Sequence, residues 1–271
     1  MTDFFPGNSY HTPDTGRLYP SHRLLFWTRW NLYPRFFRTV LQARALAEAG
    51  RYDNEAFAAS SREIIRDVEG CGGLFHVEGL DRIREARGPV VFIGNHMSTL
   101  ETLVLPAFIV PIKPASFVVK EKLVRGPVFG PVMRAVEPIA VSRRDARKDL
   151  TDVLTQGSEK IARGRSIIIF PQSTRQYTFD PGKFNSLGIK LAARSGAAVI
   201  PVALKTDFWS NGVILRGFGP LRIREPIRFE FGSPLQVSGR GRTEHQQVVD
   251  FIVSRMKAWG VPVADGRASP E

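Results

Sequence analysis

The chain has a single cysteine among 271 residues. Alone, Cys71 can form neither an intramolecular disulfide nor a cysteine zinc cage, so a reducing compartment is the simplest reading, with a small half-buried thiol between Gly70 and Gly72. Histidine is scarce as well, five in all: apart from His96, the residues His11, His22, His76 and His245 are scattered without ligand-like spacing, and no metal is expected. No window reaches the ~18–20 uncharged apolar residues of a membrane span. The opening stretch MTDFFPGNSYHTPDTGRLYP lacks the apolar core of a secretory signal, so the body of the protein is expected to stay in the cytoplasm. Gly-x-Ser-x-Gly, Gly-x-x-x-x-Gly-Lys-Ser/Thr and His-Glu-x-x-His do not occur, which sets aside a serine-hydrolase elbow, a phosphate loop and a zincin helix. Acid is in deficit, with 26 Asp and Glu against 38 Lys and Arg, a net charge of +12 and a pI near 10.3. Such a balance attracts nucleic acid, anionic lipid or acidic partners. Without zinc-finger spacing, an RNA-recognition signature or a basic helix, nucleic acid is not an expected partner.

What is present is an ordinary globular composition, 43% hydrophobic and 24% charged, sized for one α/β domain with attachments. Residues 1–20 read as a flexible lead-in. Residues 21–70 read as a helical arm, in which Phe26, Trp30, Tyr33 and Phe37 recur at helical spacing. Pro34 is expected to end one helix near Tyr33 and open another. Arg23, Arg29, Arg35, Arg38 and Arg44 lie among the rings, a pattern suited to the headgroup layer of an anionic membrane; the alternative is an arm packed on its own domain. From 71 to 261, short apolar runs alternate with helical patterns. Strands are expected at Leu74–Val77, Val90–Gly94, Ser116–Val119, Pro138–Val141, Ser166–Phe170 and Ala198–Leu204, with Ile227–Phe231 as an edge strand. Near-continuous apolar strands between helices predict an α/β fold, a largely parallel sheet flanked by helices with an N-terminal amphipathic helical arm. Pro201 argues that its strand is an edge or carries a bulge. Residues 262–271 read as a loose tail.

In such sheets ligands sit outside the carboxyl ends of the strands. VVFIG leads into Asn95-His96, PIAV into Ser142-Arg143-Arg144, and SIIIF into Pro171-Gln172-Ser173-Thr174-Arg175. After Asn95-His96 comes Ser98-Thr99-Leu100-Glu101, which also matches a capping box. Glu101 can therefore start a helix, hold the His96 ring, or do both.

Four stretches in order resemble the glycerolipid acyltransferases, the group that includes the 1-acylglycerol-3-phosphate acyltransferases. NHMSTLE is similar to their Asn-His-x-x-x-x-Asp block, with Glu for Asp; EPIAVSRR is similar to the second block, FPQSTR to the third and VIPVAL to the fourth. The upstream FVVKEKL resembles a lysine-bearing segment of the same group. In the third block Gln172 and Ser173 stand where the family usually has Glu and Gly.

The resemblance implies an O-acyltransferase that moves a fatty acyl group from acyl-CoA or acyl-carrier protein to the hydroxyl of a lysophospholipid or 1-acylglycerol-3-phosphate, with no cofactor beyond the donor. His96 would be the general base and Glu101 the carboxylate that fixes its tautomer, an arrangement whose chemistry is known from hydrolase triads. Arg143, Arg175 and Lys120 would bind the acceptor phosphate, with Ser173 and Thr174 in the same loop. The implied location is peripheral or monotopic, on the cytoplasmic face of a membrane. The alternatives are a different lipid acceptor, such as a lipid A precursor, and a non-catalytic basic membrane-binding protein.

Overall fold

The computed structural model describes residues 2–13, 18–19, 29–172, 174–212 and 217–264. The strands are β1 (Ser9–His11), β2 (Phe75–Glu78), β3 (Val90–Gly94), β4 (Ala115–Lys120), β5 (Ile139–Val141), β6 (Ser166–Ile169), β7 (Ala198–Lys205) and β8 (Ile227–Phe231). Among the described residues they make one sheet of eight strands in the order β1-β2-β8-β7-β3-β6-β4-β5. Five neighbours, β7 through β5, run parallel. β8 is antiparallel to β7 and parallel to β2, and β1 closes the far edge antiparallel to β2. Every residue of β3, β6 and β7 is buried, the state of strands covered on both faces.

The helices are α1 (Arg29–Glu48), α2 (Asn54–Gly70), α3 (Leu80–Glu85), α4 (Leu100–Ile109), α5 (Glu121–Arg125), α6 (Gly130–Ala135), α7 (Ala146–Ala162), α8 (Leu187–Ser195) and α9 (Arg242–Ala258). Side-chain carboxylates start two of the long ones: Asp53 accepts the Ala56 N–H, and Asp145 accepts those of Arg147 and Lys148. α8 packs on β3 and β7. Its approach depends on Gly188, where an added Cβ would lie 2.6 Å from Ile93 Cδ1.

Several expectations are corrected. α1 runs unbroken through Pro34. The proline forfeits one hydrogen bond near the start of the helix, and the buried face of Leu32, Phe36, Val40 and Ala43 holds the helix together across it. The lead-in is not loose where it is described. Ser9–His11 pairs with β2, Phe5 is buried against Phe108, and Arg84 grips Asp3 and the Phe5 carbonyl. β8 is internal, because β2 and β1 add beyond it. Pro201 sits in a central strand without a bulge. Its carbonyl accepts from Gly232 N–H on the β8 side, just past the end of the β7–β8 ladder, so its missing N–H breaks no bond to β3. Cys71 is fully buried. Part of the expected tail is anchored, since Phe179 exchanges backbone bonds with Pro262 and Ala264. Phe26, Arg23 and residues 265–271 lie outside the described residues, as do the side chains of Arg29 and Trp30.

Candidate active site

Sheet order brings three of the sequence blocks together. β3, which ends at Gly94 and delivers Asn95 and His96, lies between β6 and β7, the strands that lead to the third block and carry the fourth. The loop after β3 is held from both neighbours. Towards β7, the Asn95 side chain pairs with the Leu204 backbone like one more ladder rung, donating to its carbonyl (2.8 Å) and accepting its N–H (2.9 Å). Towards β6, His96 N–H donates to Gln172 Oε1 (2.6 Å) and the His96 carbonyl accepts from Gln176 N–H (2.9 Å). The first of these bonds accounts for Gln172 in the third block: the position needs a side-chain oxygen acceptor, which an amide supplies as well as a carboxylate.

The His96 ring lies nearly parallel to that of Phe170, 12° between planes and 4.8 Å between centroids. Its Nδ1–H donates to Glu101 Oε1 at 2.8 Å. Nε2 has no hydrogen-bond partner among the described residues, and the side chain is 18% exposed. A carboxylate on Nδ1 fixes the tautomer that leaves the Nε2 lone pair facing outward.

Glu101 is fully buried. Its Oε1 also accepts the backbone N–H of Met97 (2.7 Å) and Ser98 (2.8 Å); its Oε2 accepts the Thr206 hydroxyl (2.6 Å) and lies 3.0 Å from Ser98 Oγ. Ser98 Oγ in turn receives Leu100 N–H at 3.0 Å. Glu101 binds the His96 ring and also reaches back to the Ser98 N–H, the second half of a capping box. The first half is not formed, since Ser98 Oγ takes the Leu100 N–H and the helix begins after Thr99 without a side-chain cap. Burial pushes its pKa up, but the hydrogen bond and charge of His96 and the Thr206 hydroxyl outweigh this and leave it below the ordinary value of 4.5. The carboxylate is an anion despite its burial.

The basic side chains spread along the same rim. Arg175 is half-buried and donates to Thr99 Oγ1, on the loop that carries His96. Lys120 ends β4 and Arg143 lies two residues past the end of the adjacent β5; both are exposed, with Lys120 in register with Val141. β5 is three strand positions from β3, about 14 Å at ~4.8 Å per strand. Arg143 adopts a left-handed backbone, φ 59°. Asp149, in the first turn of α7, pins that turn by accepting the N–H of Ser142 (2.8 Å) and of Arg143 (2.6 Å). Thr174 is exposed, and Ser173 lies outside the described residues. Sequence reasoning missed Thr206 and Phe170. Each flanks the end of a strand beside β3, a neighbourhood that only the sheet order reveals.

The sequence pattern of the family described as Acyltransferase matches residues 74–205. The 1-acyl-sn-glycerol-3-phosphate acyltransferase of Pseudomonas aeruginosa is 36% identical over 190 residues, 70% of this chain and 68% of that protein. The chloroplastic 1-acyl-sn-glycerol-3-phosphate acyltransferase LPAT1 of Arabidopsis thaliana is 27% identical over 157 residues, 56% of this chain but only 43% of that protein. The crystal structure of the 1-acyl-sn-glycerophosphate acyltransferase PlsC from Thermotoga maritima is similar in fold, with a TM-score of 0.58 at 19% identity over 87% of this chain and 92% of that one.

Proposed function

Because the chain belongs to the glycerolipid acyltransferase family and is an O-acyltransferase, we propose that it esterifies the free hydroxyl of 1-acylglycerol-3-phosphate, taking the acyl group from a thioester of coenzyme A or of acyl-carrier protein. One observation carries this reading above the others. A buried, anionic Glu101 holds Nδ1 of His96 while Nε2 remains without a partner among the described residues.

The steps follow from that geometry. His96 Nε2 accepts the proton of the acceptor hydroxyl as its oxygen attacks the thioester carbonyl. The imidazolium that forms is stabilised by Glu101 beside it. When the tetrahedral intermediate collapses, the C–S bond breaks and the proton on His96 passes to the departing thiolate, giving ester and free thiol. No enzyme nucleophile is acylated, and the protein supplies no cofactor. Arg175, tied to the His96 loop through Thr99, takes the acceptor phosphate, and Lys120 and Arg143 add positive charge farther along the rim. Ser173 and Thr174 complete the loop that carries Arg175.

The protein works peripherally, at an anionic membrane surface on the cytoplasmic side. Phe37 (40% exposed) and Leu41 (55% exposed) stand one turn apart on the outer face of α1, next to Arg38, and suit the headgroup layer. Among the described residues no helix is long and apolar enough to cross a membrane. The test is a purified-protein assay with a panel of lysolipids and labelled acyl donors, read by mass spectrometry, with His96→Ala alongside. Phosphatidic acid formed from 1-acylglycerol-3-phosphate and lost in the variant is the expected result. Acylation of other acceptors only, or liposome binding without transfer from any donor, overturns the proposal.

A further inference from the structure

We infer that Thr206 is a positioning residue of this site: its hydroxyl, delivered by β7 from 105 positions along the chain, sets the Glu101 carboxylate that orients His96. The inference rests on the roles proposed for His96 and Glu101 and extends them to a residue outside all four sequence blocks. Glu101 is anchored asymmetrically. Oε1 takes its donors from the His96 ring and from the adjacent Met97 and Ser98 backbone, so local chain geometry accounts for that oxygen. Oε2 has two hydroxyl neighbours. Thr206 Oγ1 is the closer, at 2.6 Å against 3.0 Å for Ser98 Oγ. Ser98 has one proton for two acceptors, since its Oγ is also 3.0 Å from Thr206 Oγ1. Thr206 therefore decides how firmly Oε2, and with it the plane of the carboxylate, is held.

The mount of this hydroxyl is rigid. Thr206 is fully buried, and its N–H points at Met97 Sδ (3.3 Å). Leu204, two residues before, is clamped by the Asn95 amide. Between them, Lys205 is buried and paired with Asp207 and Glu225, each at 2.7 Å. Arg222 lies 3.8 Å from the other Asp207 oxygen, and His96 is the titratable group bonded to the Glu101 carboxylate. A buried carboxylate that loses a donor holds a proton more tightly. The His96–Glu101 pair without the Thr206 hydroxyl should therefore bind its proton at higher pH.

Thr206→Val keeps the volume and removes the hydroxyl. The acylation assay should show kcat reduced about ten- to a hundredfold, acceptor KM within about twofold of wild type, and the acid limb of the kcat/KM profile moved up by about one pH unit. Thr206→Ser, which keeps the hydroxyl, should restore the position of that limb. If Thr206→Val does not fold, the comparison of Thr206→Ser with Thr206→Ala isolates the hydroxyl on a shared loss of the methyl group. A Thr206→Val enzyme with wild-type turnover and profile overturns the inference, and so does an equal loss in the Ser and Ala variants with no movement of the limb, which assigns the residue to packing. His96→Ala and Glu101→Gln are run in parallel. Activity retained in those two sinks the catalytic reading itself, whereas their inactivity beside an unaffected Thr206→Val sinks only the role of Thr206.

Discussion

The two ends of the strand rim are built on different plans. At β3, the groups that hold the base are themselves held: Asn95 to β7, the His96 peptide to Gln172 and Gln176, and Glu101 to a set of donors in full burial. At β4 and β5, Lys120, Arg143 and Arg144 carry exposed side chains, and Asp149 fixes the backbone of the turn that bears Arg143. Holding Arg143 in a left-handed conformation costs on the order of 1 kcal/mol, which the Asp149 bonds offset. A proton must be taken along one line, so its acceptor is preorganised; a phosphate can be met from many directions by exposed cations.

That contrast ranks the effects of substitution. The largest belongs to the base: His96→Ala and Glu101→Gln should each lower kcat about a thousandfold while the fold persists, as read by turnover and circular dichroism. Near-wild-type turnover in Glu101→Gln would return the residue to helix capping alone. Next comes Arg175→Ala, between the two regimes. A lost charge-assisted phosphate contact should raise acceptor KM about tenfold or more, with kcat less affected and Arg175→Lys in between. Arg143→Ala should change KM only about two- to fivefold; an effect as large as that of Arg175 would erase the distinction between the two ends of the rim. Glu101 also carries a stability signature. Its folded pKa lies below 4.5, so its contribution is complete above that value and lost as pH falls through the folded pKa. Urea titrations should find wild type more stable than Glu101→Gln by roughly 2 kcal/mol near pH 7, with the gap closing in acid. The smallest effect on turnover is expected at α1. A Phe37→Ser/Leu41→Ser variant should acylate detergent-dispersed acceptor within about twofold of wild type yet partition less onto anionic vesicles.

The central strands were legible because each is an unbroken apolar run, and α2, α7, α8 and α9 because their apolar residues recur at helical spacing. β1 was not, since Ser9, Tyr10 and His11 form a three-residue polar strand fixed by the β2 edge rather than by its own pattern. Pro34 and Pro201 misled for one reason: a proline forbids a particular hydrogen bond, and in both places that bond was dispensable. At the site, local spacing left Glu101 open between helix cap and partner of His96, and the resemblance of the four blocks favoured the pairing. Phe170 and Thr206 could not be anticipated, because which strands flank β3 is a property of sheet order.

The same sheet order governs when the site can exist. Val90 of β3 pairs with Ala198, and Asn95 finds Leu204 and, at 3.8 Å, Met256 Sδ. A chain leaving the ribosome carries both members of the proton-transfer pair long before the segments that enclose them. Contacts of such sequence separation form slowly and late, so catalytic competence should be among the last properties the nascent polypeptide acquires.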